Sequence, residues 1–182
     1  MISSIGLIEI SSIASGFQVS DAMLKASSVD LLLSRTICSG KYIVMVSGNV
    51  GDVTASVETG IATASHAYIE HFVIPNVHED VLKAIRGVSE TEAPDALGII
   101  ESFSVASLIE GADAAVKSAN VSLHEIRIAM AMGGKAFALI TGSVADVESA
   151  VETGARVIGE HGMLVNKIVI PRPHEQLFEE VI

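Results

Sequence analysis

The chain has no tryptophan, a single cysteine and four prolines, and aromatic residues fill only 4% of its 182 positions. One thiol excludes an intrachain disulfide, and it excludes a multi-cysteine metal site built by one chain. Basic residues are also scarce, 11 Lys and Arg against 22 Asp and Glu, for a net charge of -11. That balance argues against nucleic acid as a generic partner, because phosphate binding needs basic patches. Charged residues recur too often for an uninterrupted apolar run of about 18–20 residues, so no transmembrane helix is expected. Met1 to Gly6 shows neither a basic leader nor a long apolar stretch, so no secretory signal is expected either. There is no phosphate loop, no H-E-x-x-H motif and no nucleophile–base signature. What the chain does hold is aliphatic: apolar residues make up 49%, mostly Ala, Val, Ile and Leu. The mean hydropathy is +0.53. A small globular protein of this kind buries part of that surface against other subunits.

The sequence repeats itself. Gly6-Leu7-Ile8-Glu9 returns as Gly98-Ile99-Ile100-Glu101, and Asp21-Ala22-Met23-Leu24-Lys25 as Asp113-Ala114-Ala115-Val116-Lys117. Gly40-Lys41 matches Gly134-Lys135, and Val57-Glu58-Thr59-Gly60 matches Val151-Glu152-Thr153-Gly154. Val73-Ile74-Pro75 and His78 match Val169-Ile170-Pro171 and His174. The order is kept and the spacing grows by two short insertions, which is the mark of a tandem duplication. Residues 1–90 form the first copy and 96–182 the second. The acidic, proline-containing stretch from Gly87 to Asp95 reads as the linker, ending over 91–95.

Within each copy the apolar pattern alternates between strand and helix. Leu7 to Ile10 is a β-branched apolar run and reads as a strand. Val19 to Ser27 has helical spacing, with Asp21 and Lys25 one turn apart. Asp30 to Ile37 and Tyr42 to Ser47 read as strands joined by a hairpin-like turn at Cys38-Ser39-Gly40-Lys41. Val53, Val57 and Ile61 mark a second helix, with Asp52 near its start. Glu70 to Ile74 is a strand closed by Pro75, and His78 to Ile85 a short helix. Copy two repeats this order, with Met163 to Ile170 as its last strand. The order β-α-β-β-α-β-α is that of a split βαβ unit, an antiparallel sheet with helices on one face.

The Gly-Leu-Ile-Glu strand, the Asp-x-x-x-Lys helix, the Gly-Lys after the hairpin, the Val-Glu-Thr-Gly helix and Ile170-Pro171-Arg172-Pro173-His174 together resemble the bacterial microcompartment (BMC) shell domain. Two copies in one chain resemble the tandem-domain shell proteins. The resemblance implies an α/β (α+β) fold of two ferredoxin-like domains, each a four-stranded antiparallel sheet with helices. It also implies a homotrimer that imitates a hexameric tile, and a place in the shell of a microcompartment in the cytoplasm. Its partners would be other shell proteins at tile edges and enclosed redox enzymes, with no nucleic acid and no membrane. A non-enzymatic, structural role follows.

Cys38 in Thr36-Ile37-Cys38-Ser39-Gly40-Lys41 resembles the cysteine by which some tandem shell proteins, those of propanediol-utilisation compartments, bind an iron–sulfur cluster on the three-fold axis. On residue chemistry alone a solitary cysteine is most often a small buried hydrophobe. Yet Cys38 lies in a turn beside Gly40, and the matching segment Met130-Ala131-Met132-Gly133-Gly134 has no cysteine. A trimer therefore supplies three thiolates, one short of the four that usually hold a cubane. The expected cofactor is one iron–sulfur cluster per trimer on three Cys38 ligands, a 4Fe-4S cluster with one iron bound otherwise, or a three-iron cluster. Thiolates also suit zinc. Ile37, Cys38, Ser39 and Gly40, with Met130, Ala131, Met132, Gly133 and Gly134, are the expected pore-loop residues. The glycines equally serve as plain turn formers, and the methionines as filler.

Lys25 and Lys117 are explained locally as i,i+4 partners of Asp21 and Asp113; by resemblance they are lattice-edge lysines, and Arg172 an edge arginine. Copy one has Asn76 where copy two has Arg172, so the two kinds of edge differ. Of the six histidines only His78 and His174 recur, each just after a strand-ending proline, which suits helix capping or interface packing better than metal ligation. Glu9 and Glu101 repeat on the first strand and read as structural. Two other readings fit the same sequence: a metal-free shell trimer with a gated metabolite pore, and a duplicated ferredoxin-like ligand-binding sensor.

Overall fold

A computed structural model of the chain describes residues 4–87, 95–128 and 132–177. Methionines 130 and 132 therefore part company: Met130 and Ala131 lie outside the described residues, as does most of the linker. The element order is β1 (Ser4–Ile10), α1 (Ile13–Ala26), β2 (Asp30–Ile37), β3 (Lys41–Gly48), α2 (Val50–Ala64), β4 (Tyr68–Ile74) and α3 (Glu79–Ile85). The second copy follows with β5 (Ala96–Ser102), α4 (Val105–Ser118), β6 (Val121–Arg127), β7 (Ala136–Gly142), α5 (Val144–Glu160) and β8 (Leu164–Pro171).

Two four-stranded antiparallel sheets result, ordered β2-β3-β1-β4 and β6-β7-β5-β8. The same registers recur in both: Leu7 faces Met45 and Phe72, as Ile99 faces Leu139 and Ile168. A bulge between Leu31 and Leu33 recurs between Leu123 and Glu125. The helix α1 begins six residues before the apolar periodicity predicts. Ser12 is the reason: its side chain accepts from the Ser15 amide and caps a first turn whose apolar residues, Ile13 and Phe17, are exposed. Asn49 and Ser143 cap α2 and α5 in the same way, accepting from the Asp52 and Asp146 amides.

The chain divides into two compact units, and the division cuts across the sequence copies. The first holds β1 to β4 up to Val77, together with Ser104–Ala106 and residues 132–134. The second holds the rest, including α3, which lies against β6. In the first unit Ile8, Ile10, Val44 and Val46 turn toward α1 and α2 and join Val19, Met23, Val53 and Val57 in one core. The alternate residues Leu7, Ile43, Met45 and Phe72 point the other way and are buried too. The central strands are thus covered on both faces, which is why their sequences read as continuous apolar runs. Gly6 and Gly98 are required by close approach. A Cβ on Gly6 would sit 2.5 Å from Val57 Cγ2 and 2.7 Å from Val53 Cγ1, and one on Gly98 the same distances from Val151 and Val147.

Candidate functional site

The hairpin between β2 and β3 closes through a three-residue turn, Cys38–Gly40. Ser39 (φ 65°) and Gly40 (φ 71°) both adopt left-handed backbone there. Glycine does so without penalty, whereas the serine Cβ costs on the order of 1 kcal/mol, so this turn is held by its surroundings. Ile37 is buried at the end of β2, and Cys38, the next residue, is half-buried at the tip. Among the described residues no three His, Cys, Asp or Glu side chains gather as a metal-binding group, so one chain offers this site a single thiol.

The first unit also contains the loop of the second hairpin, with Met132 half-buried and Gly133 and Gly134 both at positive φ. A Cβ on Gly134 would lie 3.1 Å from Ser39 Oγ. The two glycine turns, 94 positions apart in numbering, are therefore neighbours. Of the nine expected pore-loop residues, the seven that are described fall in this one region.

One residue of consequence escaped the sequence reading in its role, though not in its place. The Glu9 carboxylate is fully buried on the sheet face opposite the helices. Its Oε1 takes a hydrogen bond from Lys41 Nζ at 2.8 Å. Its Oε2 accepts from Ser104 Oγ at 2.8 Å, from the Val105 amide at 2.9 Å and from the Ala106 amide at 3.3 Å. The carboxylate thus sits on the first turn of α4, where unpaired amides and the helix dipole favour a negative charge. The available signal was the joint repetition of Glu and Lys: Glu101 and Lys135 form the corresponding pair at 2.6 Å.

The edge residues are placed as follows. Lys25 pairs with Asp21 at 2.6 Å on an exposed helix face. Lys117 pairs with Asp113, but this aspartate is buried and its Oδ1 also accepts the His78 amide at 2.8 Å. Arg172 is exposed at φ 48°, its amide donating to the Asp95 carbonyl at 2.7 Å. His78 caps α3, its Nδ1 accepting from the Asp80 amide, and His174 Nδ1 accepts from the Gln176 amide in the same manner, both at 3.3 Å. Of the two roles expected of these histidines, capping and interface packing, these bonds are of the capping kind. Burial pushes His124 below its ordinary range against the opposing pull of Glu125, and burial raises Tyr68, helped by Glu70.

The chain is thus a tandem α/β protein of two β-α-β-β-α-β units, each with a four-stranded antiparallel sheet and a glycine-containing hairpin loop. The BMC-domain family model matches the chain twice, over residues 4–77 and 96–173, and the chain belongs to that family as a structural shell protein rather than an enzyme. It is 42% identical over 182 residues to the bacterial microcompartment shell protein PduT of Citrobacter freundii, covering 100% of this chain and 99% of that one. It is 41% identical over 85 residues to the shell protein EutM of Escherichia coli, covering 47% of this chain and 86% of EutM, as a duplicated chain should be to a single-domain relative. Among solved structures, a microcompartments protein from Desulfitobacterium hafniense DCB superposes with a TM-score of 0.87 at 50% identity, covering 98% and 99% of the two chains. The family match sets the duplication among shell proteins and displaces the ligand-binding sensor. No helix among the described residues is long and apolar enough to cross a membrane.

Proposed function

We propose that this shell protein assembles as a homotrimer whose three Cys38 thiolates bind one iron–sulfur cluster on the three-fold axis, with the trimer set among other shell tiles through edges that include Lys25, Lys117 and Arg172. The observation that carries the reading is the placement of the one sulfur donor. Cys38 occupies the tip of a constrained turn beside glycines, rather than a core-facing strand position where a structural cysteine would pack. Space supports it as well, since a Cβ on Gly40 or Gly133 would meet nothing within 4 Å. A lone thiol per chain fits a cluster only when symmetry multiplies it, and three thiolates leave one iron of a cubane for another ligand.

A cluster held there would supply one-electron transfer, which suits exchange between enclosed redox enzymes and the outside of the shell. This chain's own part is to present Cys38 from a turn fixed by Ser39 and Gly40. The test is an iron and sulfide assay on anaerobically purified protein. Brown protein with sulfide at about 4:3 to chain and iron at about 4:3, or about 3:3 for a three-iron cluster, is expected, and Cys38→Ser should abolish both while leaving the protein a trimer. Colourless, iron-free trimer would overturn the cluster and leave the metal-free pore as the function of the same loops.

A further inference from the structure

The Cys38 turn hangs between two fixed residues. Ile37 ends β2 and is buried, Lys41 opens β3, and the two face each other as the last rung of the hairpin ladder. Cys38 is half-buried beyond that rung, Ser39 and Gly40 are exposed, and a Cβ on Gly40 would meet nothing within 4 Å. Ser39 nevertheless keeps left-handed backbone, a strained state that persists only where its surroundings over-determine it. Its neighbour Gly134 has no side chain with which to hold it, so the constraint enters through the ends of the turn.

The end at Lys41 is tied down through charge. The Lys41 side chain is only 20% exposed, and a cation drawn that far out of water needs an opposite charge beside it. Its Nζ donates to Glu9 Oε1 at 2.8 Å. Glu9 cannot follow a moving lysine, because its Oε2 is held by the Ser104 hydroxyl and the Val105 and Ala106 amides. These three residues come from the second copy, yet they belong to the same compact unit as the turn. Direct bonds therefore run from the start of α4, through Glu9, to the residue that closes the Cys38 turn.

We infer that Glu9 and Lys41 are positioning residues for Cys38, fixing the turn so that its sulfur points where a cluster needs it. The inference rests on the cluster proposed above, since thiolates that share one cluster must each be held to within about 0.5 Å. Glu9→Gln cuts the link selectively. A carboxamide has one acceptor oxygen; with that oxygen engaged by the α4 start, its NH2 group faces Lys41, donor against donor. Lys41→Met cuts the same bond from the other end and keeps an unbranched side chain.

Cys38 is the one cysteine of the chain, so alkylation of cluster-free protein by N-ethylmaleimide reads this position alone. Each variant is expected to speed alkylation by about tenfold. The double variant should go no further than either single one, because both remove one shared interaction. The two substitutions change the local charge in opposite senses, so a purely electrostatic influence on the thiolate would move their rates apart. Lys41→Arg, which keeps the cation, should return the rate close to wild type, and Gly98→Ala, which strains the other sheet, should leave it unchanged. Where the wild-type protein holds a cluster, a chelator should strip its iron faster from both variants. Wild-type rates of alkylation or iron loss in either variant, rates that move in opposite directions, or an equal effect of Gly98→Ala overturn the positioning role and leave the cluster of a brown wild-type protein standing. Iron-free wild-type protein whose two variants still alkylate faster overturns the cluster and leaves the hold of Glu9 and Lys41 on the turn.

Discussion

Removing the Glu9 carboxylate would take from Lys41, the Ser104 hydroxyl and two helix amides the buried acceptor they share. Breaking a buried charge pair from one side costs about 3–5 kcal/mol. Glu9→Ala is therefore expected to lower the urea midpoint severely. The glycines under the helices are the second sensitive kind of residue. At Gly98 a methyl would meet Val151 and Val147 at 2.5 and 2.7 Å, and β-branched side chains have little freedom to turn away. Gly98→Ala should cost about 1–3 kcal/mol through overpacking, read as a fall in Tm, and Gly6→Ala should do the same in the other sheet. His124 adds a pH dependence. Burial holds its folded pKa below the ordinary 6.5, so the unfolded chain takes up a proton first as the pH falls. The stability this residue allows is complete above about pH 6.5 and declines below it. His124→Leu, the residue copy one carries at Leu32, should shrink the loss of Tm between pH 7.5 and 5.5.

At the scale of the element, capping decided what periodicity could not. Both α2 and α5 start at a side chain that accepts the third amide, Asn49 and Ser143, with Asp52 and Asp146 in the first turn. Ser143→Ala is expected to cost about 1 kcal/mol, measurable as a shift in thermal unfolding without loss of the fold. The apolar spacing showed the later turns of α1 but not its start, because Ser12, Ser15 and Gly16 interrupt the pattern around the exposed Ile13 and Phe17 and the first turn depends on the Ser12 cap. The hairpins were legible from Cys38-Ser39-Gly40 and Gly133-Gly134, since left-handed turns select glycine. That these two turns meet was not legible, because nothing in either loop encodes the other.

At the scale of the whole molecule the duplication makes copies that are alike in register and unlike in cover. Lys25 stands on an open face while Lys117 is held beside a buried aspartate that also receives His78. The proposed edge role then predicts unequal effects. Lys25→Ala should reduce co-assembly with hexameric shell tiles more than Lys117→Ala, and neither should change the trimer mass. Co-purification with tiles measures the first and sedimentation the second; normal tile binding by the double variant would remove both lysines from the edge.

The sequence alone determined the two β-α-β-β-α-β copies, their antiparallel sheets and the position of the sulfur in a turn. These are local matters: period, turn chemistry and caps act over a few residues, and repetition confirms each one twice. Only the tertiary structure decided that Glu9 is the buried acceptor for a helix start 95 residues away, and that α3 belongs with β6 rather than with the copy that encodes it. Burial and charge pairing depend on which surfaces meet: Glu9 and Glu101 each pair with a lysine, yet among the described residues only Glu9 also receives the hydroxyl and amides of a helix start.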